Sequence, residues 1–326
     1  MELENNTQLE AALLRGDLPD GERTLAVVVA KASAVIDPTG RMALDLSLRT
    51  PICHEPVAHP DGQIPADLAP RKQGFDVLAL GEAYHPALEG GGQSEVAVRV
   101  HDQRRTLRVF GERHWYRSHG GDWCVTPPQP FSLLSLSFLN AYGGSSFDPE
   151  GRDCPYPLNL DGKGYVACEE AIEGTPLPNL EDPEQLIQSW RDQPRPCSLA
   201  PASRQLAVDP EQLAADQQRA QQRKEPFRVP AALWNDAVPR FRFEAALPGA
   251  AVSLSGMSEQ PIQGALPELQ LWADVLVGVR ELRVPLVLDT LLWLPAERRA
   301  LFTFRGSFTY RFVPRETRRV RLTLEG

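Results

Sequence analysis

From Ser94 to Trp115 the chain alternates: Val96, Val98 and Val100 are separated by Ala97 and Arg99, the polar run 101–105 follows, and Leu107 and Val109 then alternate with Arg108 and Phe110. Successive side chains of a strand point to opposite faces, so a period of two on both sides of a polar turn specifies a β-hairpin. Arg23 to Leu48 repeats the pattern around Pro38-Thr39-Gly40. Apolar runs at Phe75–Leu80, Phe241–Leu247, Ala251–Ser255, Leu282–Trp293 and Ala300–Phe312 read as further strands. Thirty Pro and 24 Gly punctuate these runs, which argues against a helical bundle. The fold class expected is mainly β: antiparallel, sandwich-like sheets with a long irregular Gly/Pro-rich insertion and one or two peripheral helices. Helix starts are legible at Asp182-Pro183, for a helix running to Trp190, and at Asp209-Pro210, for one running to Lys224.

The order of these signals divides the chain. Residues 1–22 read as an N-terminal tail, 23–135 as a β region, 136–205 as the irregular segment with its short helix, 206–229 as a helical linker and 230–326 as a second β region. The irregular segment is rich in Gly, Pro and Asn, yet it also carries Phe138, Tyr142, Phe147, Tyr156 and Tyr165. Side chains of that size repay ordering only when buried, so the segment is expected to be ordered.

A formal charge of −9 repels phosphate backbones, so nucleic acid is not expected as a partner. Five Cys, at 53, 124, 154, 168 and 197, form neither a Cys-x-x-Cys pair nor an even framework, which points to a reducing compartment. The opening MELENNTQLE is acidic where a secretory signal would be basic and apolar, and no run is long enough to span a membrane. A cytoplasmic protein that does not engage a membrane is expected.

A reaction centre is hard to find. Gly-x-Ser-x-Gly, His-Glu-x-x-His and Gly-x4-Gly-Lys-Ser/Thr are all missing from the sequence. Gly162 to Ala167 fits a Gly-x-Gly-x-x-Ala string but lacks the preceding buried strand that dinucleotide binding needs. Cys53 with His54 and His59, and His114 with His119 and Cys124, offer ligands that zinc accepts, and they support one alternative, a metal-dependent hydrolase. Near the carboxyl end Arg305 and Arg311 lie an even number of residues apart on a strand, so both can share one face, as a docking patch or as a solvated edge.

Seven strings, in order, carry a resemblance. They are Lys31-Ala32 between two strands, Asp67-Leu68-Ala69-Pro70-Arg71-Lys72, Phe75 to Ala83, Leu107 to Trp115, Pro130-Phe131, Ala141-Tyr142-Gly143-Gly144, and Leu177-Pro178-Asn179-Leu180-Glu181-Asp182-Pro183. Over residues 25–200 the chain resembles a bacterial family, long held as a domain of unknown function, whose genes lie beside those of PAAR-repeat spike-tip proteins in type VI secretion clusters. The resemblance implies a cytoplasmic adaptor or chaperone that holds a PAAR-containing effector and helps load it on the spike trimer. It implies no catalytic residue and no cofactor; a structural subunit of the secretion assembly is the other role it allows. The length, glycines and aromatics of the irregular segment make Tyr142, Gly143, Gly144, Tyr156, Asn159, Tyr165, Leu177, Pro178, Asn179 and Glu181 the candidate partner-binding residues, with Arg305 and Arg311 added from the arginine-bearing strand. Two readings of 140–183 stay open: a cargo-binding surface, or an aromatic plug closing the end of a β-sandwich.

Overall fold

A computed structural model describes residues 1–18, 22–86, 91–224 and 229–325. Fifteen strands build its two main sheets. In chain order they are β1 (Glu2–Asn5), β2 (Glu10–Asp17), β3 (Arg23–Ile36), β4 (Met42–Asp45), β5 (Phe75–Ala79), β6 (Gln93–Val100), β7 (Gln103–Phe110) and β8 (Leu180–Glu181), then β9 (Arg242–Phe243), β10 (Ala251–Ser255), β11 (Ile262–Ala265), β12 (Gln270–Val277), β13 (Arg280–Leu294), β14 (Arg299–Arg311) and β15 (Arg318–Glu325).

The larger sheet has ten strands, in the order β1-β15-β12-β13-β14-β3-β2, with β4 on β3 and with β5 between β13 and β9. Its two edges, β1 and β2, are joined by residues 6–9 alone, so the sheet curls until it is nearly a closed barrel. Five strands in the order β8-β7-β6-β10-β11 form the smaller sheet. The mainly β class is therefore as expected, with two departures in detail: β1 runs parallel to β15, and β5 runs parallel to β13.

Alternation explains the core. Ala26, Val28, Ala30, Ala32 and Ala34 of β3 point inward with Phe302, Phe304 and Phe308 of β14, and one core joins them to Val96, Val98, Leu107, Val109 and Leu254 of the smaller sheet. Burying a side chain of valine or phenylalanine size contributes about 1.5–3 kcal/mol. Small residues on β3 stand beside large ones on β14 on the same inward face, so the phenylalanine rings have room to pack there.

The β regions expected at 23–135 and 230–326 are interleaved: β3 pairs with β14 along its length, and β6 pairs with β10. Residues 1–22, expected to be a tail, supply β1 and β2. The hairpin turn within 94–115 takes only His101 and Asp102, and the three following polar residues already belong to β7. Of Phe241–Leu247 only Arg242 and Phe243 pair as a strand.

The helix expected over 209–224 is present as α1 (Pro210–Arg223), capped by the Asp209 carboxylate and closed by Lys224 in the left-handed region. No helix forms at 183–190. Side-chain carboxylates take the amides a helix would use: Asp182 accepts from Glu184 N–H, Glu181 from Ile187 N–H, and Asp192 from Gln188 and Ser189 N–H. Such local bonds compete with helix formation, and here they win. Among the described residues no helix is long and apolar enough to cross a membrane.

Candidate functional site

The irregular segment is built from the inside outward. Tyr142–Gly143 pairs with Lys163–Gly164, and Ser145–Phe147 pairs with Asp153–Pro155. Tyr142 stands edge-on to Tyr156, with ring centres 5.0 Å apart, and edge-on to Tyr165 at 6.5 Å. Burial pushes the Tyr142 and Tyr156 phenols above their ordinary range; for Tyr165 the hydrogen bond with Cys154 Sγ at 3.7 Å does so first, and burial second. Asn159 ties the layers together, its Nδ2 donating to Phe138 O at 2.8 Å and to Tyr142 O at 3.0 Å. Gly144 has φ +90°, and a Cβ there would stand 2.5 Å from Gly162 O, so only glycine fits.

Leu177, Pro178, Asn179 and Glu181 fix the far end. Leu177 joins a small second core with Trp115, Val166 and Ile172. Asn179 exchanges bonds with Phe110, through Nδ2 at 2.9 Å and through the backbone at 2.8 Å. Glu181 pairs with Arg113, whose guanidinium also donates to Pro178 O at 2.6 Å and lies 3.7 Å over the Phe110 ring.

Tyr142, Gly143, Gly144, Tyr156, Asn159, Leu177, Pro178, Asn179 and Glu181 are thus buried, and Tyr165 is half-buried. The structure brings these residues together as the interior of the segment. What the segment shows to solvent is different: Leu139, Phe147 and Leu160 are exposed. Sequence reasoning passed over Leu139 and Leu160 because they follow no period, and Phe147, expected to be buried with the other aromatics of the segment, stands in solvent instead. Leu139 and Leu160 each follow one end of the bond from Asn159 to Phe138, and Phe138 lines a cleft of about 870 Å³ whose walls include His54, Asp61, Arg204, Trp234 and Asp236.

Arg305 and Arg311 do share a face of β14, because its pairing with β3 has no register shift, but their surroundings differ. Arg311 is exposed and meets Glu22 at 3.1 Å. Arg305 is buried in a cluster of three cations and four carboxylates. Lys72 Nζ donates to Asp76 at 3.0 Å, Asp236 at 2.6 Å and Thr290 Oγ1 at 2.9 Å. Lys31 pairs with Asp67 at 2.7 Å, and Arg305 pairs with Asp289 and donates to Asp67 O at 2.8 Å.

A register shift in β13 between Leu288 and Thr290 is what allows this meeting. The extra residue of a bulge re-aims its neighbours, and here both Asp289 and Thr290 reach the buried cations. Burial alone would lower the Lys72 pKa, but the carboxylates of Asp76, Asp236 and Asp289 outweigh it and hold the ammonium above its ordinary range. Burial raises Asp236, partly offset by Lys72. Asp236 lines the cleft, so the cluster is the floor that pins loops 50–72 and 229–241 to the sheet. Lys31, Asp67, Lys72 and Asp76 come from the strings that carry the resemblance. Asp289 went unnoticed, although an Asp inside the apolar run Leu286–Leu292 was its signal.

The metal ligands considered above are separated. His119 lies in the exposed turn of a small hairpin (Trp115–Arg117 with Trp123–Val125), Cys124 sits opposite Tyr116 in it, and His59 hydrogen-bonds Glu297 at 2.9 Å. Among the described residues no group of three or more His, Cys, Asp or Glu is arranged to hold a metal ion.

Searches of curated proteins and of solved structures returned no match. A family model described as an uncharacterized protein conserved in bacteria (DUF2169) matches residues 20–305, well past the span 25–200 of the resemblance. That stretch takes in every strand from β3 to β13 and all seven charged residues of the buried cluster, and the chain belongs to this bacterial family.

Proposed function

We propose that the protein is a cytoplasmic adaptor or chaperone that binds a PAAR-containing effector and assists its loading on the spike trimer of a type VI secretion system. One observation carries the reading: residues 136–205 spend their tyrosines, asparagines and glycines on their own packing, yet hold Leu139, Phe147 and Leu160 in solvent. Rigid apolar side chains on a fixed irregular platform suit recognition of a folded partner, since little ordering entropy is lost on binding. Phe138, next in sequence to Leu139, also lines a cleft that carries charged and aromatic groups.

The test is co-purification of a PAAR-repeat protein encoded in the same gene cluster with Leu139→Ser and Leu160→Ser variants, each checked for melting temperature. Both replacements lie at exposed positions and should leave stability within about 0.5 kcal/mol of the parent. Partner recovery is expected to fall at least tenfold in the double variant. Full recovery by the folded double variant would remove the platform from the interface, and failure of the unaltered protein to bind any such PAAR protein would remove the adaptor reading itself.

A further inference from the structure

Of the charged residues in the buried cluster, Asp236 alone lines the cleft beside Phe138. Its two oxygens differ. Oδ2 accepts from Lys72 Nζ at 2.6 Å, whereas Oδ1 accepts no hydrogen bond among the described residues. The side chain keeps 24% of its surface exposed, so the uncommitted oxygen opens on the cleft. The cations beneath do not cover it. Arg305 pairs with Asp289 and Lys31 with Asp67, and the Lys72 ammonium is divided between Asp236 and Asp76. Arg242, opposite Asp76 in register, donates to the carbonyls of Ala207 and Ala237 instead. Four carboxylates thus share three cations in contact, and one that has only half a cation faces the cleft. A carboxylate taken from water without a full counter-charge is costly, and burial raises the Asp236 pKa in spite of Lys72.

Two more carboxylates line the same cleft. Glu55 is exposed and makes no ion pair among the described residues. Asp61 takes no proton from its neighbour His59, whose Nδ1 accepts the Asp61 N–H at 3.1 Å and whose Nε2 bonds Glu297 at 2.9 Å. Against these the lining sets the His54 imidazole and one guanidinium, Arg204, which is exposed and stacks over Trp234 with its central carbon 4.8 Å from the ring centre. Leu68, Leu80, Phe138, Leu233 and Trp234 supply apolar wall, the surface along which an alkyl stem is buried while its charged head finds a partner.

We infer that the cleft takes a lysine side chain from a segment of a protein partner, its stem against the apolar wall and its ammonium on Asp236 Oδ1. Lysine suits the site better than arginine, because a guanidinium fork is held by both oxygens of a carboxylate and Lys72 already occupies one of them. A volume of about 870 Å³ is that of a pocket for a whole ligand, so backbone on either side of the lysine is accommodated with it. This inference does not depend on the partner being a PAAR protein, and its test uses none.

The probe is a fluorescein-labelled seven-residue peptide, one central lysine flanked by leucines with serines outside, titrated into the full chain by anisotropy. Saturable binding is expected, weakened at least tenfold when norleucine replaces the lysine and at least threefold when arginine does. Asp236→Asn should weaken binding at least tenfold. That variant also removes a partner of Lys72, so Glu55→Lys gives a second measurement at an exposed position without an ion pair, where the melting temperature should stay unchanged and binding should weaken at least threefold. Failure of the lysine peptide to saturate, equal binding of the norleucine or arginine peptide, or unchanged affinity in folded Glu55→Lys would each overturn the inference. So would n-butylamine binding as tightly as the peptide, since the occupant would then be a small amine.

Discussion

Replacing Lys72 by methionine isolates the charge at the floor of the cleft. Methionine keeps an unbranched stem of similar length, so packing changes little and the loss falls on the ammonium and its three bonds. Asp76, fully buried, then has only the Asn235 side-chain amide at 2.8 Å and the Asp236 N–H at 2.9 Å, and no cation in contact. Removing one partner of a buried pair costs about 3–5 kcal/mol. With unfolding entropy of about 2.1 cal/mol/K per residue, a chain of 326 residues should lose roughly 4–7 °C in melting temperature. Scanning calorimetry of parent and variant at pH 7 gives the comparison. The Lys72 pKa is raised in the folded state, so its contribution is complete below the unfolded lysine range and fades as pH rises through the folded value. The gap between the two proteins should therefore stay constant from pH 7 to about 10 and shrink only above that. A loss under about 1 kcal/mol, or a gap that closes between pH 7 and 9, would refute a buried cation held by three partners.

Four further outcomes are expected. Arg113→Met should cost about 3 kcal/mol in urea denaturation, since it leaves the Glu181 carboxylate buried without its cation. Gly144→Ala should cost at least twice as much as Gly121→Ala, because both glycines have φ +90° but only the first would press a Cβ on a carbonyl, while a Cβ at Gly121 meets nothing within 4 Å. Far-ultraviolet circular dichroism should show strand in excess of helix, near the 45% and 11% of the structure, and a helix share above about a third would contradict the fold. Burial raises the Cys53 thiol, with Lys31 pulling the other way, so alkylation of Cys53 followed by mass spectrometry should have its pH midpoint above that of a free thiol, and higher still in Lys31→Met.

Elements with a strict period or a clean turn were readable. The Pro38-Thr39-Gly40 turn forms because Asp37 Oδ1 accepts from Thr39 N–H at 2.8 Å and Arg41 N–H at 3.0 Å, a pattern local to five residues. Pairing across the chain was not readable: nothing near β3 announces that β14 is its partner. The strand β12 was passed over although Leu271, Ala273 and Val275 alternate inward, because Trp272 and Asp274 between them disguise the period. At 182–190 the start signal was genuine, but the carboxylates of Glu181 and Asp192 had already claimed the amides.

Of the aromatics legible in the irregular segment, Tyr142 and Tyr156 are buried and Tyr165 is half-buried, as side chains of that size in an ordered stretch require, whereas Phe147 stands in solvent. The buried charges were the least legible feature. Lys31, Lys72 and Asp289 look like ordinary polar positions until three distant stretches and a bulge bring them within hydrogen-bond reach.

The pairing of β3 with β14 also sets a timetable for biosynthesis. β3 begins at Arg23 and β14, its hydrogen-bonded neighbour on the edge opposite β2, begins at Arg299, so one of the most apolar strands leaves the ribosome nearly a whole chain ahead of its mate. At about 5–20 residues per second that wait is on the order of 15–60 s. During it, Val27–Ala30 and the rest of β3 have only β2 and β4 to pair with, and the sheet cannot be completed until translation is almost over. Slow codons or truncation after β11 would therefore leave an unmatched apolar edge, a state that aggregates or recruits holding chaperones, so yield in the cell should depend on translation speed more than folded-state stability alone would suggest.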